Sequence, residues 1–489
     1  MACLFRVAED ATLGRVLRST RDIPAGQIVL EEDPLIVFDY SDEIILPHPW
    51  QSEIQTWRQK YVSIIQIDHI GNSCAAFLSS ADSELKQTWL SWFQNSTNGP
   101  ADNAVRELAR NLCNLSNETK VDPDELARAL LACLINNHSY QKANAALFKY
   151  GSMAVHSCSP NTSFKTSSGR LVMRALSKIK AGDLLSISYL SWEDLTKPTM
   201  LRRNKLFGSR HFVCNCSRCT GPDTTRVLPC PTIDCTGSIC ILQRNMNDPP
   251  RWNCDSGNVA CEFKADLGLE IRPALGSRIE RIFEKEKLLL NQWSDKSMIE
   301  KVLIKPDPSS ITNWLEKLAA GTCGKKHWLY ADNLNHSVSM LFDYSMLKSD
   351  ESAVHLGFSN QMAYFEWTRE VFADMPDGTP YSTSAIRTVN EFYQYERWNA
   401  SFFSPYGPLL LKAIQLVHSI EPGVRCEWGN DDEDAGKLRH IMVSYCARCG
   451  VRGSLKCSAC KRVAYCSKAH QKSDWKTHKA FCPCLLART

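Results

Sequence analysis

The C-terminal stretch "CARCGVRGSLKCSACKRVAYCSKAHQKSDWKTHKAFC" presents Cys446, Cys449, Cys457, Cys460, Cys466, His470, His478 and Cys482 as four ligand pairs. Thiolates and imidazoles in that number suffice for two closed tetrahedral zinc sites. So short a segment cannot bury a core of its own, and metal binding must supply its folding free energy. A second thiol group, Cys214, Cys216 and Cys219 in "HFVCNCSRC", leaves a closed zinc site one ligand short. Cys158, in the loop "VHSCSPN" at 155–161, is the candidate donor of the fourth ligand. A third group, Cys230, Cys235, Cys254 and Cys261, has looser spacing that suits either a ribbon-like zinc site or separate buried thiols.

Between Cys446 and Cys482 stand nine Lys or Arg residues against one acidic residue, Asp474, with Tyr465, Trp475 and Phe481 interleaved. Such a composition could serve nucleic acid. Basic residues also keep a small finger soluble, and the acidic stretch "EWGNDDEDAGK" beside it can neutralise them. No direct nucleic-acid contact is expected.

The rest of the chain must hold these groups in place. Its 489 residues exceed what one core can organise and suggest about three domains. A hydrophobic share of 44%, a charged share of 22% and a net charge of +4 are those of an ordinary globular protein. The N-terminal "MACLFRVAED" lacks the pattern of a secretory signal, and the apolar run "YGPLLLKAIQLVHSI" is interrupted by Lys412 and His418. An intracellular protein without a membrane span is expected, so the 22 cysteines, clustered as they are, read as metal ligands rather than disulfides.

Two segments, "TRDIPAGQIVLEEDP" and "LSKIKAGDLLSISYL", repeat one strand, turn, strand pattern, with Gly26 and Gly182 where a tight turn needs positive φ. "GRLVMRAL" supplies a further strand, and alternation in "LLSISYL" puts Leu185, Ile187 and Tyr189 on one face. Between these β regions the period changes. "DPDELARALLACLINNH" starts with Asp122 as N-cap and Pro123 at N1, and places Leu126, Leu130 and Leu134 on one stripe, with Asn136 near the helix end. Residues 52–112 read as helical too, with Trp57, Trp89, Trp92 and Phe93 as core. From 270 to 425 the pattern is again helical, in "RIERIFEKEKLLLNQW", "YADNLNHSVSMLFDYSML" and "LLLKAIQLVHSI".

Together, "LGRVLRSTRDIPAGQIVLEEDPL", Asn136 in "INNH", "VHSCSPN", "AGDLLSISYL" and "HFVCNCSRC" resemble the SET and post-SET region of the SET-and-MYND (SMYD-type) protein-lysine methyltransferases, especially insect-type members. The C-terminal cluster resembles their MYND zinc finger. The resemblance implies an α+β fold: a β-rich SET and post-SET domain over 1–220 with a helical insert at 52–140, and a possible zinc-ribbon-like segment at 221–269. A helical domain at 270–426, an acidic linker at 427–445 and the MYND finger at 446–482 complete it.

The resemblance also implies S-adenosyl-L-methionine and Zn2+ as cofactors. Backbone at Gly14 and Arg15 would meet the methionine end of the donor, Asn136 and His156 its amino and adenosine parts, and Phe212 its adenine. Tyr189 would be the catalytic hydroxyl. In the finger one zinc would take Cys446, Cys449, Cys466 and His470, and the other Cys457, Cys460, His478 and Cys482. Expected partners are a lysine-containing protein substrate, such as a histone tail, and proline-containing peptides at the finger. A monomer acting in cytoplasm and nucleus, in transcriptional regulation, is expected. Three features depart from the family: Val16 replaces a usual glycine, Val155 a usual asparagine, and residues 40–110 hold Cys74 but no finger, which sits at the far end. The two valines point to a second reading, a catalytically inactive adaptor that recruits corepressor-type partners.

Overall fold

The computed structural model describes residues 3–39, 46, 48–61, 70–79, 83–92, 100–115, 121–140, 144–167, 169–210, 212–230, 232–242, 251–256, 261, 284, 287–288, 308–320, 324–372, 384–385, 387–389, 413, 443–449, 451–479 and 482. They fall into two compact units, Met1–Tyr189 with Arg203–Cys214, and Leu190–Arg202 with Asn215–Thr489.

The first unit opens with the hairpin of β1 (Phe5–Asp10) and β2 (Gly14–Ser19), antiparallel from Phe5↔Ser19 to Asp10↔Gly14. The Asp10 carboxylate accepts the Thr12 and Leu13 amides, both at 3.1 Å, which shapes the turn. Next come β3 (Ile28–Glu32), β4 (Ile36–Asp39) and, after the helices, β5 (His138–Tyr140), β6 (Asn144–Leu147), β7 (Val155–His156), β8 (Thr162–Ser167), β9 (Arg170–Ala175) and β10 (Ser186–Ile187). They form sheets ordered β3-β9-β8 and β4-β6-β5, and a parallel pair of β7 with β10.

The repeated Ile-x-Ala-Gly segments pair with one another. Ile23 and Ile179 exchange both amide bonds, at 2.8 and 2.9 Å. Gly26 (φ +82) and Gly182 (φ +87) then turn the chain away, donating to Ala175 O at 2.8 Å and Ser19 O at 3.0 Å. The repeat thus marks two loops that close on each other and bring β2 alongside the approach to β10.

Residues 48–136 hold the helices His48–Tyr61, Ile70–Ser79, Ser83–Trp92, Pro100–Leu115 and Pro123–Asn136. Trp50, Trp57, Phe77 and Trp89 share a core with Leu108, Leu112, Leu126 and Leu130, packed on Phe38, Ala145 and Leu147 of the β4-β6-β5 sheet. The described residues of 48–136 thus form an apolar helical layer. Asp122 caps the last helix as its sequence predicts, accepting the Asp124 and Glu125 amides, with Pro123 in the first turn. Trp57 and Trp89 are buried as expected; the Trp92 side chain and Phe93 lie outside the described residues.

In the second unit, the helices Trp328–Lys348 and Glu351–Phe372 pack as a pair, turned at Ser349 with φ +53, and Pro308–Ala320 joins their core. "YADNLNHSVSMLFDYSML" is thus helical, while "RIERIFEKEKLLLNQW" and "LLLKAIQLVHSI" lie outside the described residues apart from single positions. Residues 190–202 and 215–220, at the end of the 1–220 segment, group with this unit. The cause is local: the Lys197 ammonium pairs with Asp332 and lies 5.0 Å from the Trp328 ring centre, and Trp192 and Leu201 pack on the helical core. Strands β11 (Pro222–Pro229), β12 (Ser238–Leu242) and β13 (Arg251–Cys254) form an antiparallel sheet in that order.

The finger consists of the short pair β14 (Leu455–Lys456) and β15 (Ala464–Tyr465) and the helix Lys468–Lys479. It starts before Cys446, since Tyr445 bridges Arg452 and the Gly453 amide donates to Ser444 O at 2.9 Å. The remainder of the expected linker, 427–442, lies outside the described residues. Among the described residues no helix is long and apolar enough to cross a membrane.

Candidate active site and metal centres

A pocket of about 230 Å³ opens in the first unit where the helix Pro123–Asn136 ends. Asn136, Asn137, Ser152, Tyr189 and Arg210 supply its polar lining, and His138, Phe164 and Ile187 its apolar wall. The side-chain amide of Asn136 turns back on its own helix, donating from Nδ2 to Ala132 O at 3.1 Å, while the Asn136 backbone carbonyl accepts from Ser152 Oγ at 3.3 Å. One wall stands very close to its neighbours: a Cβ on Gly151 would come within 2.4 Å of Leu171, so only glycine fits there.

Tyr189 sits at this pocket with both its polar groups committed. Its hydroxyl donates to Ala154 O at 2.7 Å, and its amide donates to His156 Nδ1 at 3.0 Å. The pairing of β7 with β10, in the register Ile187↔His156, sets those distances. Burial pushes the phenol up to about 12, against the opposing Arg210 charge, so the hydroxyl stays protonated at any physiological pH. The rings of His156, Tyr189 and Phe212 form a cluster with centres 5.3, 5.9 and 6.3 Å apart.

His156 and Cys158, expected to do separate work, are in contact: Nε2 lies 3.3 Å from Cys158 Sγ. With Nδ1 accepting from Tyr189, the imidazole ties the thiol to the tyrosine backbone. His156 and Phe212 stand against Tyr189 without lining the pocket, and Gly14 and Arg15 lie at the β1–β2 turn, also outside that lining. Val16 is fully buried in β2, and Val155 pairs with Ser186 in β7.

Two lining residues escaped the sequence reading. Arg210, the last residue of the helix Thr199–Arg210, donates to Leu134 O at 3.3 Å and to Ile135 O, the exposed carbonyl end of the neighbouring helix. Its guanidinium carbon lies 5.4 Å from the Tyr189 ring centre. His138 is buried edge-on to Phe148 and Phe164, and burial, with the Arg210 charge adding, pushes it down to about 4. The only signal available for Arg210 was its place two residues before Phe212, and nothing in the sequence marked His138.

The cysteines and histidines gather into four sets whose ligand atoms lie within 4.8 Å of one another in each. Cys158, Cys214, Cys216 and Cys219 form one, which supplies the ligand missing from the C-x-C-x-x-C motif. In the finger, Cys446, Cys449, Cys466 and His470 form a second, and Cys457, Cys460, His478 and Cys482 a third. His470 faces its thiols through Nδ1, 3.1 Å from Cys466, and His478 through Nε2, 3.3 Å from Cys457. Three or four thiolates with at most one imidazole is the ligand chemistry of structural zinc.

A family model described as MYND finger matches residues 446–482, and one described as SET domain matches 14–190. The chain therefore carries a SET domain and a C-terminal MYND finger. Histone-lysine N-methyltransferase SMYD3 of Mus musculus is 35% identical over 89 residues, 18% of this chain and 20% of that protein. SET domain-containing protein SmydA-8, isoform B, of Drosophila melanogaster is 30% identical over 124 residues, 24% of this chain and 25% of its own length. Tudor domain-containing protein 1 of Mus musculus is 54% identical over 42 residues, which is 9% of this chain and 4% of that protein. The chain thus spans a quarter or less of these relatives. A crystal structure of the SET domain of LSMT bound to lysine and AdoHcy covers 90% of this chain and 94% of its own at 13% identity, with a TM-score of 0.26, too low to carry weight.

Proposed function

We propose that this chain is a SMYD-type protein, an S-adenosyl-L-methionine-dependent protein-lysine methyltransferase acting on a histone or another protein in cytoplasm and nucleus. Its MYND finger would dock proline-containing peptides of partner proteins in transcriptional regulation. The observation that carries the enzymatic reading is Tyr189: a hydroxyl kept protonated and fixed on Ala154 O, beside an aromatic cluster, in the lining of a pocket that also holds the Asn136 and Asn137 amides.

The pocket lining suits the amino-acid end of such a donor, with amides from Asn136 and Asn137 and the Ser152 hydroxyl, while His156 and Phe212 lie behind Tyr189, outside that lining. S-adenosyl-L-methionine, when bound, supplies the electrophilic methyl group. What this chain must add is placement of an amine and exclusion of water. Tyr189 Oη has a lone pair left after donating to Ala154 O, and both oxygens can accept N–H bonds from a lysine amine and so aim its lone pair. Arg210 makes a protonated lysine beside the Tyr189 ring costly and thereby favours the neutral nucleophile.

The test is calorimetry with S-adenosyl-L-methionine followed by methyl transfer to a lysine-peptide array. Tyr189→Phe should leave donor binding unchanged and lower kcat about a hundredfold, the scale for removing one group that stabilises the transition state. A chain that binds no donor at millimolar concentration overturns the reading. The second reading, a SET fold kept as scaffold for an adaptor, is favoured by Val155, whose isopropyl group offers no hydrogen bond beside His156. It predicts partner capture by the finger with no donor binding.

A further inference from the structure

The third thiol group of the sequence, which neither family match covers, converges in the second unit. Cys230 follows β11 directly, Cys235 lies in the turn to β12, Cys254 ends β13 and Cys261 comes beyond it. Cys230 Sγ lies 3.5 Å from Cys261 Sγ, Cys235 Sγ lies 3.8 Å from Cys254 Sγ, and all four sulfurs are within 4.8 Å of one another. Zn–S bonds of about 2.3 Å in a tetrahedron place sulfurs about 3.8 Å apart. A disulfide would need about 2.05 Å.

Two further observations go beyond proximity. Three of the four sulfurs accept an amide from the residue two places on: Cys230 from Thr232, Cys235 from Gly237, and Cys254 from Ser256 at 3.4 Å. An amide donated to each of these sulfurs fixes its orientation in the turn, as hydrogen bonds behind metal ligands do. The turn is also shaped around the cluster, since a Cβ on Gly237 would come within 2.7 Å of Cys254 Sγ. Elsewhere β11 is tied to the helical part of its unit, the Asp223 carboxylate accepting the Thr199 amide at 2.7 Å. The cluster's own core, among the described residues, adds to the thiols Leu228 and Ile239, little apolar area for three short strands. Cys240, in the middle of β12, stays outside the set, so the convergence is selective.

We propose that Cys230, Cys235, Cys254 and Cys261 bind one zinc ion as a closed tetrathiolate site that holds the β11–β13 sheet together. Four thiolates leave no open position, so the site is structural rather than catalytic, and soft, tetrahedral sulfur ligation selects zinc over oxygen-loving cations. Binding releases the thiol protons to solvent and couples the fold of this segment to metal.

The test counts metal in the purified full-length chain by native and elemental mass spectrometry. The expected result is four zinc ions per chain, one for each set. Cys235→Ser/Cys254→Ser should carry three and Cys240→Ser four. A wild type with three, or a double variant that keeps four, overturns the proposal. Alkylation of the wild-type chain gives a second readout if the double variant fails to fold. Cys230, Cys235, Cys254 and Cys261 should label only after chelation, whereas exposed Cys3 labels throughout. Equal labelling with and without metal, or resistance relieved only by a reductant, overturns it.

Discussion

At the scale of single residues, the site is governed by Arg210, a cation held where a substrate cation would approach. Its guanidinium gains from the carbonyl end of the Pro123–Asn136 helix and, under the proposed function, would cost a lysine ammonium binding energy at Tyr189. Arg210→Gln can keep a hydrogen bond to those carbonyls while removing the charge. The pH at which kcat reaches half its maximum should then move up by about one unit, because the bound amine holds its proton longer. An unchanged pH profile would show that the charge does not reach the amine. His138 makes a second prediction. Its folded value of about 4 lies below the ordinary 6.5, so the unfolded chain binds more protons between those values. Stability is therefore complete above about pH 6.5 and is lost as pH falls toward 4, by on the order of 3 kcal/mol. His138→Phe, which keeps the aromatic packing, should flatten the decline of the SET-domain melting temperature over that window.

At the scale of elements, the loop "VHSCSPN" owes its position to its last residue. Asn161 donates from Nδ2 to Leu184 O at 2.7 Å, and its Oδ1 accepts the Ser186 amide at 2.8 Å. Thr162 adds a bond from its hydroxyl to Ser186 O at 2.8 Å. These bonds lock β7 beside β10, and so fix His156 Nδ1 on Tyr189. Asn161→Ala leaves a buried amide and a carbonyl without partners, at about 3 kcal/mol. Urea unfolding of the variant should show that loss, and kcat should fall although Asn161 does not line the pocket.

At the scale of the whole molecule, metal does the work that apolar burial does elsewhere. The finger packs Val463 and Tyr465 among its own cysteines, and its strands have two residues each. The first unit's helical layer, by contrast, has a tryptophan-rich core with no ligand set among the described residues. Exhaustive chelation should therefore abolish amide protection in the finger and in β11–β13, and leave that of the 48–136 helices largely intact. Hydrogen exchange with mass spectrometry of the stripped chain reads both at once.

Much of this was legible without coordinates. The Asp122 cap, the positive-φ glycines Gly26 and Gly182, and the ligand pairs of the finger are local matters of spacing and backbone sterics, which a sequence states directly. The missing ligand from Cys158 could be inferred because zinc fixes its coordination number. What the sequence could not state were meetings between segments remote in the chain. Arg210 reaches Ile135, His138 is enclosed by Phe148 and Phe164, and Tyr189 finds Ala154 O, because strand pairing and helix packing bring them together. A residue's type and spacing determine which bonds it can make, and only the tertiary structure decides which partner is within about 3 Å to make them.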